Sequence, residues 1–143
     1  MPFWRLHYHL VWGTKNRLPL ISEEIEPALF SVLAKKAADL GVILHGVNGI
    51  ADHVHLIVSI PPKLAISTVV KEIKGVSSLY LNHSGWMEGT FAWQRGYGAL
   101  TIGERQLETA LEYVKGQKEH HAQATTNSWL ERADENLEED EPD

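Results

Sequence analysis

Cysteine is missing from all 143 residues, which excludes disulfide frameworks, thiolate zinc sites and thiol nucleophiles, and fits a reducing cytoplasm. Long apolar runs are missing as well. No stretch approaches the roughly 18–20 residues that cross a bilayer, and the N-terminus carries neither the basic segment nor the apolar stretch of a secretory signal. A cytoplasmic protein with no membrane partner is expected. An excess of positive charge is also lacking, since the formal net charge is −6. What is present is ordinary: 43% apolar and 22% charged residues are close to globular averages, so the body of the chain is expected to fold. The length suits one domain of about 100–150 residues.

The net charge is misleading until the chain is divided. Residues 131–143 hold eight acids and one base, a charge of −7, whereas residues 1–130 hold eleven acids and twelve bases, a charge of +1. The division predicts one domain over residues 1–130 and a solvated, disordered acidic tail over residues 131–143. A near-neutral body still admits a phosphate-bearing partner, provided that its cations line a local groove.

Trp4 to Trp12 alternates as a strand, with Leu6, Tyr8, Leu10 and Trp12 on one face and Arg5, His7, His9 and Val11 on the other. Leu29, Val32, Leu33, Ala37 and Leu40 recur at helical spacing, with Pro27 in the first turn and Gly41 as the stop. Val42–Ile50 and His53–Ile60 read as a hairpin about Ala51-Asp52, ended by Pro61-Pro62. A second helix carries Ile66, Val69, Val70, Ile73 and Val76, with Lys71 and Lys74 on a more exposed side. Phe91 to Ile102 reads as a strand interrupted at Gly96 and Gly98, and Thr101 and Glu104 have the spacing of a capping box for a third helix. That helix buries Leu107, Leu111 and Val114. The resulting α+β order, β-α-β-β-α-β with an added C-terminal helix, is that of a ferredoxin-like or RRM-like antiparallel sheet. Its first and third strands are central, which leaves one sheet face free for a site. RNA-recognition modules use the same sheet, so the fold alone does not separate a binder from an enzyme.

Two groups of residues carry chemistry. In Asp52-His53-Val54-His55, strand alternation sends both imidazoles to one face, with Cα atoms roughly 6.5–7 Å apart, from where both reach one metal ion. Such a pair is, without context, more often a plain polar sheet face, and His7 and His9 show the same pattern. In the third helix, Tyr113 and Gln117 are four residues apart and share a face, with His120 near the same stripe. Tyr113 reads equally as a packing tyrosine. Gly116 between them costs about 1 kcal/mol relative to alanine and marks a bend or a crowded position.

Asp52-His53-Val54-His55 resembles the His-hydrophobe-His motif of the HUH single-strand endonucleases. Tyr113-Val114-Lys115-Gly116-Gln117 resembles the tyrosine helix of the IS200/IS605-like Y1 transposases, which include the REP-associated tyrosine transposases. His9 to Arg17, Trp93 to Gly98 and Glu119-His120-His121 extend the resemblance from about residue 4 to residue 121. The resemblance implies a nuclease and strand transferase in which Tyr113 attacks a phosphodiester, leaving a 5′-phosphotyrosine and a free 3′-OH. Covalent attachment conserves the bond energy, so no nucleotide cofactor is needed. His53 and His55, with Gln117 as third ligand, would hold Mg²⁺ or Mn²⁺, and His120 would be a helper.

The implied partner is single-stranded DNA, expected as the hairpin-containing ends of a mobile element. Lys15, Arg17, Lys71, Lys74, Arg95 and Tyr97 are the candidate contacts to phosphates and bases. Trp4, Trp12, Trp86 and Trp93 are expected to pack, and the resemblance implies a homodimer in which the tyrosine helix of one subunit can complete the partner's site, with the monomer of the REP-associated branch as the alternative. The alternative is a domesticated hairpin DNA- or RNA-binding protein of the same fold without turnover.

Overall fold

The computed structural model describes residues 3–122 and 130–131; the acidic stretch beyond residue 131 lies outside the described residues. Strand β1 (His7–Gly13) is followed by a 3₁₀ turn at Lys15–Arg17, helix α1 (Glu26–Leu40), strands β2 (Ile43–Ile50) and β3 (His53–Ser59) and helix α2 (Ile66–His83). Strand β4 (Gly98–Ile102), a second 3₁₀ turn and helices α3 (Leu107–Lys115) and α4 (Gln117–Ala122) complete the order. The four strands form an antiparallel sheet in the order β2-β3-β1-β4, so β1 and β3 are central, as expected.

Strand parity divides the sheet chemically. Leu10 and Trp12 of β1 and Val54, Leu56 and Val58 of β3, each fully buried, join Leu29, Leu33 and Ala37 of α1 and Val69, Val70 and Ile73 of α2 in one core. The opposite face carries His7, His9 and Val11 beside His53, His55 and Ser59, in the register His7↔Ser59, His9↔Ile57 and Val11↔His55. Helices α3 and α4 lie over β2 and β3. Gly41 ends α1 in a left-handed conformation at φ 80°, which glycine adopts without steric cost, and its N–H reaches the Ala37 and Ala38 carbonyls.

Several boundaries differ from the sequence expectation. The first strand begins at His7 rather than Trp4, and the Phe91–Ile102 segment is a strand only from Gly98, preceded by a single bridge between Thr14 and Trp93. The capping box is absent: Thr101 is a β4 residue opposite Tyr8, and Glu104 instead meets His7 and Arg5. Lys74 is buried, since it shares the inward stripe of Val70, Ser77 and Leu81. Its ammonium donates to the Gln94 and Gly96 carbonyls at 2.7 and 3.1 Å. Trp86 is 48% exposed, whereas Trp12 packs edge-on against Trp93. The third helix is two helices, parted at Gly116.

Candidate metal and tyrosine centre

His53 and His55 are 1% and 0% exposed, and their rings meet edge to face with centroids 5.0 Å apart. The outer nitrogen of each is already held. His53 Nδ1 lies 2.8 Å from Asp52 Oδ1, and His55 Nδ1 lies 2.7 Å from Nε2 of His9. Both Nε2 atoms are thereby turned toward the centre, the arrangement by which surrounding hydrogen bonds orient metal-binding imidazoles. Asp52 is itself fixed by the hairpin turn, where its carbonyl accepts from the Thr14 N–H at 2.9 Å. Burial and the neighbouring His55 push His9 down to a pKa of about 3, so it is neutral.

His7 is buried too, and its ring partner is the half-buried His45 rather than His9. His7 Nδ1 and His45 Nε2 each approach Ser59 Oγ at 2.6 Å, and His7 Nε2 pairs with Glu104. The two rings stand edge to face with centroids 5.6 Å apart, forming a separate polar latch along the sheet.

Tyr113 in α3 and Gln117 in α4 converge on the histidines despite the break between the helices. Gln117 is fully buried, with Oε1 3.3 Å from His53 Nε2 and 3.1 Å from His121 Nε2. The Tyr113 ring stacks on His120, with centroids 4.6 Å apart and planes 19° from parallel, and presents an edge to His55. Gly116 leaves space for that stack, since a Cβ there would come within 3.1 Å of His120 Nε2.

Two further residues complete the cluster. Oε1 of Glu131 lies 3.1 Å from His53 Nε2, 3.1 Å from His55 Nε2 and 3.2 Å from His121 Nε2. Its Oε2 accepts from the Tyr113 hydroxyl at 2.7 Å and from Gln117 Nε2 at 3.2 Å. Burial pushes the Glu131 carboxyl up, but hydrogen bonds from His53, His55 and Tyr113 outweigh it and hold it well below the usual carboxylate range. For His53, burial works downward and is outweighed by bonds to Glu131 and Asp52, so its pKa is raised; for His55 burial prevails and its pKa is lowered. The sequence carries no signal for Glu131, which composition groups with the acidic run, and His121 enters only through the resemblance of Glu119-His120-His121.

The ligand atoms of His53, His55, His121 and Glu131 all lie within 4.8 Å of one another, with the amide oxygen of Gln117 alongside. Imidazoles and a carboxylate converging from separate elements fit a divalent cation of the Mn²⁺ or Zn²⁺ type, and the added oxygens admit Mg²⁺.

The predicted DNA contacts fall into two places. Lys15 and Arg17 are exposed on the turn after β1, and Arg17 reaches to 3.8 Å from Asp52 beside the histidines. Lys71, Lys74 and Arg95 line a cleft of about 340 Å³ with Trp93 and Gln94. The Gln94 N–H donates to the Gly13 carbonyl at 2.9 Å, which ties that cleft to the strand end opposite His53. Tyr97 is half-buried against the core.

Residues 2–117 match the family model described as transposase, IS200-like. The chain is 30% identical over 119 residues to the ISDra2 transposase TnpA of Deinococcus radiodurans, covering 80% of this chain and 85% of that protein. It is 31% identical over 121 residues to the transposase of insertion sequence element IS200 of Salmonella typhimurium, covering 81% and 79%. Among solved structures, a Deinococcus radiodurans R1 protein described as a candidate transposase superposes with a TM-score of 0.62 at 28% identity, over 81% of this chain and 93% of that one. A REP-associated tyrosine transposase bound to a REP hairpin has a TM-score of 0.63 at 16% identity, over 85% and 74%, a likeness of fold.

Proposed function

The chain belongs to the family of IS200-like transposases, and on that premise we propose that it cuts and rejoins single-stranded DNA through Tyr113. The observation that carries this reading is the convergence of Tyr113, His53, His55 and Gln117 on a single carboxylate, each within hydrogen-bond distance of it.

In the proposed reaction the Tyr113 oxygen attacks the scissile phosphorus, the P–O3′ bond breaks, and the products are a 5′-phosphotyrosine and a free 3′-OH. The phenol proton passes to solvent and the departing 3′ oxygen takes one up. Attack by a second 3′-OH on the phosphotyrosine restores both the strand and the tyrosine. A divalent cation, Mg²⁺ or Mn²⁺, held by His53, His55 and Gln117 would polarise the phosphate and stabilise the developing charge. His120, stacked on Tyr113, acts as its positioning residue, keeping the phenol turned toward the histidines. Asp52 and His9 hold the outer nitrogens so that the inner ones are turned to where the cation would bind. Lys15 and Arg17 flank the entry, while Lys71 and Arg95 guide the strand along the cleft that Lys74 braces, and Tyr97 packs on the core at the end of the loop that lines it. The REP hairpin bound to the fold relative supports hairpin-bearing element ends as substrate, and we propose a homodimer that cleaves in cis within each copy, in the cytoplasm.

Incubation of the protein with a single-stranded hairpin oligonucleotide and Mn²⁺, followed by a denaturing gel, tests the reading. The wild type should give a covalent adduct, Tyr113→Phe none, and His55→Ala about 100-fold less. Hairpin binding with no adduct under any metal would instead identify a domesticated binding protein.

A further inference from the structure

Among the described residues, Glu131 is the one member of the centre that comes from beyond α4, and its two oxygens do different things. Oε1 stands at the focus of three imidazole Nε2 atoms, from His53, His55 and His121, at 3.1 to 3.2 Å. Oε2 is engaged by Tyr113 and Gln117. A phosphodiester in the reaction proposed above would make the same two sets of contacts: one oxygen toward the metal-binding groups, and the reacting centre against the tyrosine. Both groups are anionic, with geminal oxygens able to bridge a cation and a hydroxyl.

Two ordinary roles for such a carboxylate fit less well. As a general base for Tyr113 it lies within reach of the hydroxyl, but to act so it would have to stay in the place the phosphate must take, with its two oxygens already shared among His53, His55, His121, Tyr113 and Gln117. As a mere surface ion pair it would not be drawn into contact with buried histidines. A centre with three imidazoles and a carboxylate is moreover closed, whereas catalytic metal sites keep a position open for substrate.

Resting on the reading of His53 and His55 as metal ligands, we propose that Glu131, with His121, completes the metal centre in the resting protein and stands in the seat of the scissile phosphate. Single-stranded DNA then enters by displacing it. Glu131 is then an internal competitor, and its displacement removes a ligand and releases the tyrosine hydroxyl together.

The test uses the full chain. Mn²⁺ binding without DNA is measured by titration calorimetry for wild type, Glu131→Ala, His121→Ala and His55→Ala. Affinity of a short single-stranded oligonucleotide is then measured by fluorescence anisotropy at saturating Mn²⁺ for wild type and Glu131→Ala, with circular dichroism establishing that each variant is folded. Glu131→Ala and His121→Ala should each weaken Mn²⁺ binding about tenfold, and Glu131→Ala should tighten DNA binding about tenfold. Unchanged Mn²⁺ affinity in Glu131→Ala, with His55→Ala impaired, overturns the inference and leaves the histidine centre standing. Weaker Mn²⁺ binding together with weaker DNA binding also overturns it, making Glu131 a permanent ligand. Failure of the wild type to bind Mn²⁺ removes the metal centre itself, and with it the reading on which the inference rests.

Discussion

At the scale of single residues, the centre depends on a neutral histidine that touches no reacting group. His9 is 1% exposed, its Nδ1 has no hydrogen-bond partner among the described residues, and its Nε2 meets His55. Its folded pKa of about 3 lies below the ordinary value of 6.5, so between those limits the unfolded chain binds the proton and the folded protein does not. The His9 contribution therefore lowers stability as pH falls below 6.5, by about 1.4 kcal/mol per unit, or about 2 kcal/mol by pH 5. Urea unfolding of the metal-free protein at pH 7 and pH 5 should show this loss, and His9→Gln should lessen it while weakening Mn²⁺ affinity about tenfold. An unchanged slope in the variant would remove His9 from the account. This residue was only half legible in the sequence. Strand parity put it on the correct face, but its partner is fixed by the pairing of two strands far apart in the chain, and one strand's pattern does not report its neighbour.

Among the secondary elements, α2 shows how a charge misleads. Lys74 reads as solvated when charge alone is weighed, yet spacing puts it on the stripe of Val70, Ser77 and Leu81, where it holds two carbonyls of the loop before β4. Lys74→Met should cost about 1–3 kcal/mol in urea unfolding, because the Gln94 and Gly96 carbonyls lose a charged donor. A stability loss below about 0.5 kcal/mol would return Lys74 to the role of a surface cation. The helix stop at Gly41, the hairpin and the two central strands were legible because each follows from a local rule of periodicity or turn chemistry. The division of α3 from α4 was half legible: Gly116 marks the place, while the stack of His120 on Tyr113 that occupies the space is a matter of packing.

For the molecule as a whole, the centre ties β3, α3, α4 and residue Glu131 into one cluster, so a cation bound there binds the folded state and not the unfolded chain. At a Mn²⁺ concentration about 100 times Kd this contributes about 2.7 kcal/mol, or about 8 °C in Tm at this size. Thermal unfolding with and without Mn²⁺ should show the rise in wild type and its absence in His53→Ala. A rise that persists in the variant would put the ion elsewhere. The hairpin between β2 and β3 has a further consequence at this scale. Its turn is pinned from two directions, by Thr14 on the Asp52 carbonyl and by Ile21 on that of Ala51. The pinning sets which face every β3 side chain meets. Adding or deleting one residue there would exchange odd for even along the strand, driving both imidazoles among the core leucines and valines and turning Val54 and Leu56 toward the face that carries the centre. The turn is thus open to substitution but closed to any change of length by an odd number, and a chemistry that spans the molecule hangs on a count made at two residues.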